Sequence, residues 1–360
     1  TVARISADQF AVILASEQAA GKIAETAEQI RKALKAPFNF GDRDLTLTAS
    51  IGVTIYDSNP AAAADVLRDA ELAMYYAKRL GGDRIEAYRA SARSIATYNR
   101  AGEEDLERGM KQGELHVQFQ PVVDVVSGQM VGAEALMRWT HPTRGLVNPD
   151  EFVPLAERSG QIEKLGRLAF EQSATQAREW MTTLGLPEDF FISVNLSPSQ
   201  LATETLLNDM RSLLSQDRDL ARHLKLEITE SQVMNNPEHS AYMLQALKDI
   251  GLGLALDDFG TGHSSLSYLH RFPFDTIKIP GAFVKISDAT GIAHTQAPII
   301  RSVVTLATDL DLMVIAEGVE TLDEIERLRQ LGCRHAQGFA FGAAMTGAEL
   351  GRKLAAQLAR

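Results

Sequence analysis

The sequence holds one cysteine, Cys333, in 360 residues, so intramolecular disulfides and cysteine-built metal cages are excluded. It lacks any apolar run of membrane-spanning length, and no signal peptide opens it. Positive charge is in deficit: 36 Lys and Arg stand against 47 Asp and Glu, a net charge of -11. A general binder of nucleic-acid polymers or anionic membranes needs a basic face, which this balance does not supply. The deficit limits how an anionic ligand is bound, not whether it is, because carboxylates that hold divalent cations can still receive phosphate. Hydrophobic residues at 45% and charged residues at 23% give an ordinary globular balance, long enough for two domains or a barrel with an appendage.

The lone thiol fits a reducing, cytoplasmic setting, with no membrane contact expected from these residues. The opening "TVARISADQFAVILA" reads as the middle of a folded domain, so sensory or anchoring parts are expected upstream of Thr1. Residues 1–90 alternate β-branched runs ("FAVILA", "LTLTASIGVTIY") with helical stretches, the second ending at Gly81-Gly82 as a C-cap. Residues 91–113 are polar and helix-prone, as a connecting helix would be. A third region, 114–360, then follows a different rhythm.

From Leu115 onward short apolar runs recur: "LHVQFQPVVDV", "QMVGAEALMRW", "FFISVNLS", "LKLEITES", "GLGLALDD", "DTIKIPG", "LMVIAEGV" and "HAQGFAFG". Helix starts between them are signalled by Asn148-Pro149 with Glu151, by Ser197-Pro198, and by Thr321 with Glu324, the last helix closing at Gly332. The pattern predicts an α/β fold, a TIM-like (β/α)8 barrel. Its first two strands are joined by only "VSGQ", so the first should run antiparallel to its neighbour.

Each run carries polar residues in or near its end: Glu134, Asn195, Glu227, Asp257-Asp258, Lys278, Glu317 and Gln337. In such a barrel the C-terminal strand ends share one mouth, so these residues should converge. Carboxylates and an amide, without cysteine or clustered histidine, select Mg²⁺ or Mn²⁺. Adjacent aspartates can bridge two ions about 3.5–4 Å apart, as in two-metal phosphodiester cleavage.

The ordered set "EALMR" (134–138), "SVNLSP", "LEITES", "DDFGTGHSSLSYLHRFPFDTIKI" and "EGVET" resembles the motifs of EAL-domain cyclic di-GMP phosphodiesterases over about residues 106–355. The resemblance implies metal-dependent hydrolysis of one phosphodiester bond of cyclic di-GMP to linear pGpG. By position it implies Glu134, Asn195, Glu227 and Asp257 around one ion and Asp257, Asp258 and Glu317 around another, with Gln337 assisting through water. Lys278 would contact the attacking water or the phosphate, and Gln120, Arg138 and Glu320 would face substrate alongside Gln337. Glu230 would steady the glycine-rich loop after the fifth strand, near which the family forms its homodimer. Catalytic roles thus fall to Glu134, Lys278, Glu230 and Asp258.

Two positions depart from the family pattern. Lys278-Ile279-Pro280 replaces "KID", and "GFAFGAAM" follows Gln337 where a polar residue and proline are usual. The first region resembles part of a GGDEF diguanylate cyclase domain, but Ser6-Ala7-Asp8-Gln9-Phe10 breaks its signature. Side chains at Ser6 and Ala7 crowd a nucleotide where glycines would not. Gln9 removes a carboxylate, and the usual phosphate loop would lie upstream, so no cyclase activity is expected. Two other readings stay open: a non-catalytic cyclic di-GMP receptor, and a metal-dependent barrel enzyme acting on another phosphoester.

Overall fold

The computed structural model describes residues 1–6, 9–14, 20–40, 43–45, 47–55, 63–88, 92–214, 217–260, 271–285 and 293–359. The chain divides into two compact units, Thr1–Gly102 and Glu103–Arg360.

In the first unit, strands Val2–Arg4 and Phe10–Val12 pair antiparallel, and Ile51–Val53 pairs parallel with Ile85–Ala87. Helix Ala63–Arg79 lies so close on Ile51–Val53 that a Cβ at Gly52 would sit 2.0 Å from the Ala70 carbonyl oxygen. The strand therefore requires glycine there. The helix closes on Gly81 and Gly82, both left-handed at φ 109° and 70°, as the sequence signalled. The run "LTLTASIGVTIY" is not one strand. Its start belongs to a hairpin, Phe38–Phe40 with Arg43–Leu45, and among the described residues that follow only Ile51–Val53 is strand.

The second unit is a closed barrel of eight strands: β1 Leu115–Asp124, β2 Met130–His141, β3 Phe191–Asn195, β4 Leu224–Thr229, β5 Gly253–Asp257, β6 Thr276–Ile279, β7 Met313–Ala316 and β8 His335–Gln337. Neighbours from β2 to β8 run parallel, while β1 closes the barrel antiparallel to both β8 and β2. The reason is local. Asp124 Oδ1 accepts from Val126 N and Ser127 N at 2.8 and 3.0 Å, folding the chain back at once. A short strand, Gly145–Val147, hairpins onto β2.

Period-two alternation sends Ile192, Val194, Leu226, Ile228, Leu254, Leu256, Ile277 and Ile279 outward into the main core under the helices. The intervening residues face the barrel axis. At the floor, Val122, Phe191 and Ile315 form a separate apolar plug. Outside the barrel wall, Trp139 packs edge-on to Phe152 at 5.9 Å and donates from Nε1 to Glu114 Oε2 at 2.9 Å. Cys333 is a buried core residue whose thiol burial pushes up to about 12.

The helix starts follow the sequence signals with one exception. Ser197 with Gln200 and Thr321 with Glu324 form capping boxes. Asn148 Oδ1 accepts from Asp150 N at 3.1 Å, but Glu151 pairs with the Arg144 guanidinium instead of reaching back to the cap. A charged donor outcompetes a neutral N–H for the carboxylate.

Candidate active site

The mouth of the barrel is organised around one ammonium. Lys278 Nζ, on β6 and 1% exposed, lies 2.6 Å from Glu227 Oε2 (β4), 2.6 Å from Glu317 Oε1 (just past β7) and 3.2 Å from Glu134 Oε2 (β2). These residues come from four strands and meet because each is the inward residue at its level. The register sets Ser193 beside Glu134, and Asn195 beside Glu227. Strand β1 runs the other way, yet Gln120 stands directly opposite Glu134.

Amides complete the ring around Glu134. Asn195 Nδ2 donates to Glu134 Oε1 at 2.7 Å, and Gln337 Nε2 donates to Glu134 Oε2 at 2.8 Å and to Gln120 Oε1 at 3.0 Å. Gln120 Nε2 in turn donates to the Gly342 carbonyl at 3.1 Å. Gln337 Oε1 is buried with no hydrogen-bond partner among the described residues. Such an atom calls for a donor or a cation.

Burial works to raise the Glu134 pKa, but Lys278 and the two amide donors prevail and hold it below the carboxylate norm. Glu227 gets no such relief: burial and the charge of Glu134 push it up to about 8 despite Lys278. Burial, opposed by Lys278 and reinforced by Asp257, brings Glu317 to about 7. Burial works against the Lys278 ammonium, but Glu134, Glu227 and Glu317 together keep its pKa well above normal. The cage therefore holds more carboxylate than one ammonium can neutralise.

Asp257 ends β5, and its Oδ1 accepts from Asp258 N at 2.8 Å. Asp258 is left-handed at φ 55°, a conformation aspartate tolerates better than most residues, and its pKa is raised by desolvation and by Asp257. Glu230, buried after β4, accepts from Gly260 N at 3.1 Å and so anchors the start of the following loop. Residues 261–270 of that loop, with His263 and His270, lie outside the described residues.

Arg138 is further along β2, half-buried. Its Nη1 donates to the Met137 carbonyl at 3.0 Å, and among the described residues it has no carboxylate ion-pair partner. Glu320 is not drawn into the cage: its Oε1 pairs with Lys285 Nζ at 3.0 Å, half-exposed. Pro280 takes the N-cap position of helix Gly281–Val284 and offers no side-chain cap.

The donor set fits hard divalent cations: the carboxylates are in excess, Asp257 and Asp258 adjoin them, and one amide oxygen lacks a partner among the described residues. Among the described residues no group of three His, Cys, Asp or Glu is already drawn together as a metal cage; the acids close on Lys278 instead. Below this level the structure adds inward residues that the strand-end reading passed over: Ser193, Lys225 and Thr276, each two residues before a residue it had singled out. Applying the period-two rule downward from Asn195, Glu227 and Lys278 finds all of them. Burial pushes the Lys225 ammonium down to about 8.

Comparison with known families and proteins accords with this architecture. The EAL domain family matches residues 103–344, and the family described as diguanylate cyclase, GGDEF domain, matches residues 1–84. The chain is 34% identical over 352 residues to the bifunctional diguanylate cyclase/cyclic di-GMP phosphodiesterase MucR of Pseudomonas aeruginosa, covering 97% of this chain and 50% of MucR. It is 32% identical to the cyclic di-GMP phosphodiesterase NbdA of the same organism, covering 94% of this chain and 43% of NbdA. The chain thus spans about half or less of the length of these curated relatives. Among solved structures, the PaMucR phosphodiesterase in complex with c-di-GMP superposes with a TM-score of 0.64 at 38% identity, covering 69% of this chain and 99% of that one. The EAL domain of Mycobacterium smegmatis DcpA superposes with a TM-score of 0.54 at 30% identity, covering 68% and 97%.

Proposed function

The chain belongs to the EAL-domain family, and on that premise we propose that it hydrolyses cyclic di-GMP to linear pGpG with Mg²⁺ or Mn²⁺. The observation that carries the reading is the buried meeting of Glu134, Glu227 and Glu317 on Lys278, at the barrel mouth beside Asp257 and Asp258. The similarity to a phosphodiesterase solved with c-di-GMP supports the choice of substrate.

In this reading Glu134, Asn195, Glu227 and Asp257 hold one ion, and Asp257, Asp258 and Glu317 hold a second. Bound there, the ions supply an activated water and neutralise charge developing on phosphorus. The chain's own groups do the rest. Lys278 fixes Glu134, Glu227 and Glu317 and directs its ammonium at the water or the phosphate oxygen. Arg138, without a carboxylate ion-pair partner among the described residues, holds a phosphate oxygen of the substrate. Gln120 and Gln337 shape the wall opposite Glu134, and Glu230 holds Gly260 so that the loop begins in one place. Water oxygen bonds to phosphorus, one P–O ester bond breaks, and the leaving oxygen takes a proton.

Incubation of the purified protein with cyclic di-GMP and either metal tests this directly. Chromatographic appearance of pGpG is expected, and its absence under both Mg²⁺ and Mn²⁺ would refute the reading. The second reading, a cyclic di-GMP receptor without turnover, draws on Pro280, where the family motif carries an acidic residue; tight binding without pGpG would select it. We further propose that the barrel pairs as a homodimer, to be read by light scattering. Ser6, Ala7 and Gln9 support a first unit without cyclase activity, which GTP incubation would check.

A further inference from the structure

One level below the carboxylates, a second cation spans the barrel. Lys225 Nζ donates to Thr276 Oγ1 at 2.7 Å and lies 4.1 Å from the centroid of the Phe191 ring. The link runs from β4 to β6, which are not hydrogen-bonded to each other, because β5 lies between them. It passes over Gly253, the register partner of Lys225 on β5. A Cβ at Gly253 would sit 3.0–3.3 Å from Lys225 Cε, Cγ and Cβ. Gly132 makes the matching space for Phe191, whose ring would lie 2.7–2.8 Å from a Cβ there.

The level above repeats the arrangement on the same two strands. Lys278 of β6 reaches Glu227 of β4 at 2.6 Å, and Ala255 is the β5 residue in register with Glu227. Thr276 and Lys278 share one face of β6; Lys225 and Glu227 share one face of β4. Two polar links of opposite polarity thus stand one above the other. In the lower one the cation comes from β4, in the upper one from β6.

A lysine is a costly floor for a barrel, because an ammonium loses its hydration there. A methionine would fill similar space without that cost, so packing alone does not account for the group. A nucleophilic role fits no better, since Nζ is engaged by Thr276 and by the ring face. What the ammonium adds is direction: a hydrogen bond of fixed length between two strands that no ladder joins, and a cation–π contact that holds it on the β3 side.

We propose that Lys225 is a positioning residue, whose bond to Thr276 sets β4 against β6 and thereby fixes where Glu227 meets Lys278 beneath the bound phosphodiester. The inference rests on the phosphodiesterase reading. Outer partners of metal ligands typically carry about ten- to hundredfold in metal affinity or activity.

The test compares Lys225→Met, Thr276→Val, their double variant and Thr276→Ser in the full chain. Each of the first two should lower kcat about tenfold, with the KM for cyclic di-GMP within about twofold, because Arg138 and Gln120 are untouched. The double variant should be no worse than the worse single, as expected of one link removed twice. Thr276→Ser keeps the hydroxyl and should retain most of the rate. Unchanged kcat in both singles, additive losses in the double, or failure of serine to rescue each overturns the inference. If Lys225→Met does not fold, Thr276→Val against Thr276→Ser decides alone. If the parent protein forms no pGpG, the phosphodiesterase reading falls by itself. Calorimetric titration with Mn²⁺ then still decides this one: about tenfold weaker binding in Thr276→Val than in Thr276→Ser is expected, and equal binding overturns it.

Discussion

Lys278→Met is the substitution whose consequence the structure fixes most closely. Methionine fills nearly the same volume, so the change removes a charge and leaves packing largely intact. Of the side chains it abandons, Glu227 and Glu134 are buried, 1% and 9% exposed, and Glu317 is partly exposed at 24%. Removing one partner from a buried ion pair costs about 3–5 kcal/mol, because the other charge stays behind. Part of that is relieved by protonation. Glu227 and Glu317 already sit at about 8 and about 7 with the ammonium present, so without it both are neutral at pH 7. Glu134 loses the ammonium as well and keeps only the Asn195 and Gln337 amide donors against its burial, so its pKa rises too. The low end, about 3 kcal/mol, is therefore the better figure. For a domain of this size it corresponds to a fall in Tm of about 6–12 °C.

The assay is thermal unfolding followed by circular dichroism, first in chelator and then with Mn²⁺. In chelator the full loss is expected. A cation at about a hundred times its Kd returns about 2.7 kcal/mol, so Mn²⁺ should raise the midpoint of the variant more than that of the parent. Hydrolysis should be lost in both conditions. A midpoint within about 2 °C of the parent in chelator would refute the account of Lys278 as counter-ion to the cage.

Asp257→Asn removes a carboxylate from the position proposed to serve both ions and should lower pGpG formation by at least about a hundredfold; retained turnover would mean that the metal assignment is wrong. Pro280→Asp should leave kcat equal or higher, since an aspartate at that N-cap supplies the side-chain acceptor that proline lacks; a large loss would show the proline to be an adaptation of this chain. Asp124 is held at about 2: burial would raise it, but Ser127 N, Arg334 and Val126 N prevail. That depression from 3.8 is worth about 2.4 kcal/mol at face value. Arg334 is 70% exposed and its share is screened, so Asp124→Asn should cost about 1–2 kcal/mol in chemical denaturation at pH 7. Because the folded pKa is the lower one, this stabilisation is complete above about pH 4 and is lost as the pH falls toward 2. A gap between parent and variant that stays constant from pH 6 to below about 3 would contradict it.

Much of this molecule is written in adjacent residues. Alternation of apolar and polar positions marks the barrel strands, and a polar residue at or near the end of each marks the mouth, because strand period and capping chemistry depend on neighbours in sequence. The turn after Asp124 was legible as too short for a crossover, hence the reversed β1. Ser197 with Pro198 and Thr321 with Glu324 announced their helices by the same local logic. Which residues meet across the barrel was not legible, since that depends on the stagger of strands separated by whole helices. The sequence therefore yielded a set of acids and a lysine, while only the closed barrel decided that three of the acids meet on Lys278. It also decided that Glu320 turns to Lys285, and that Lys225 reaches Thr276 over a glycine. Local pattern determines what each strand offers to the axis; closure and register determine what it meets there.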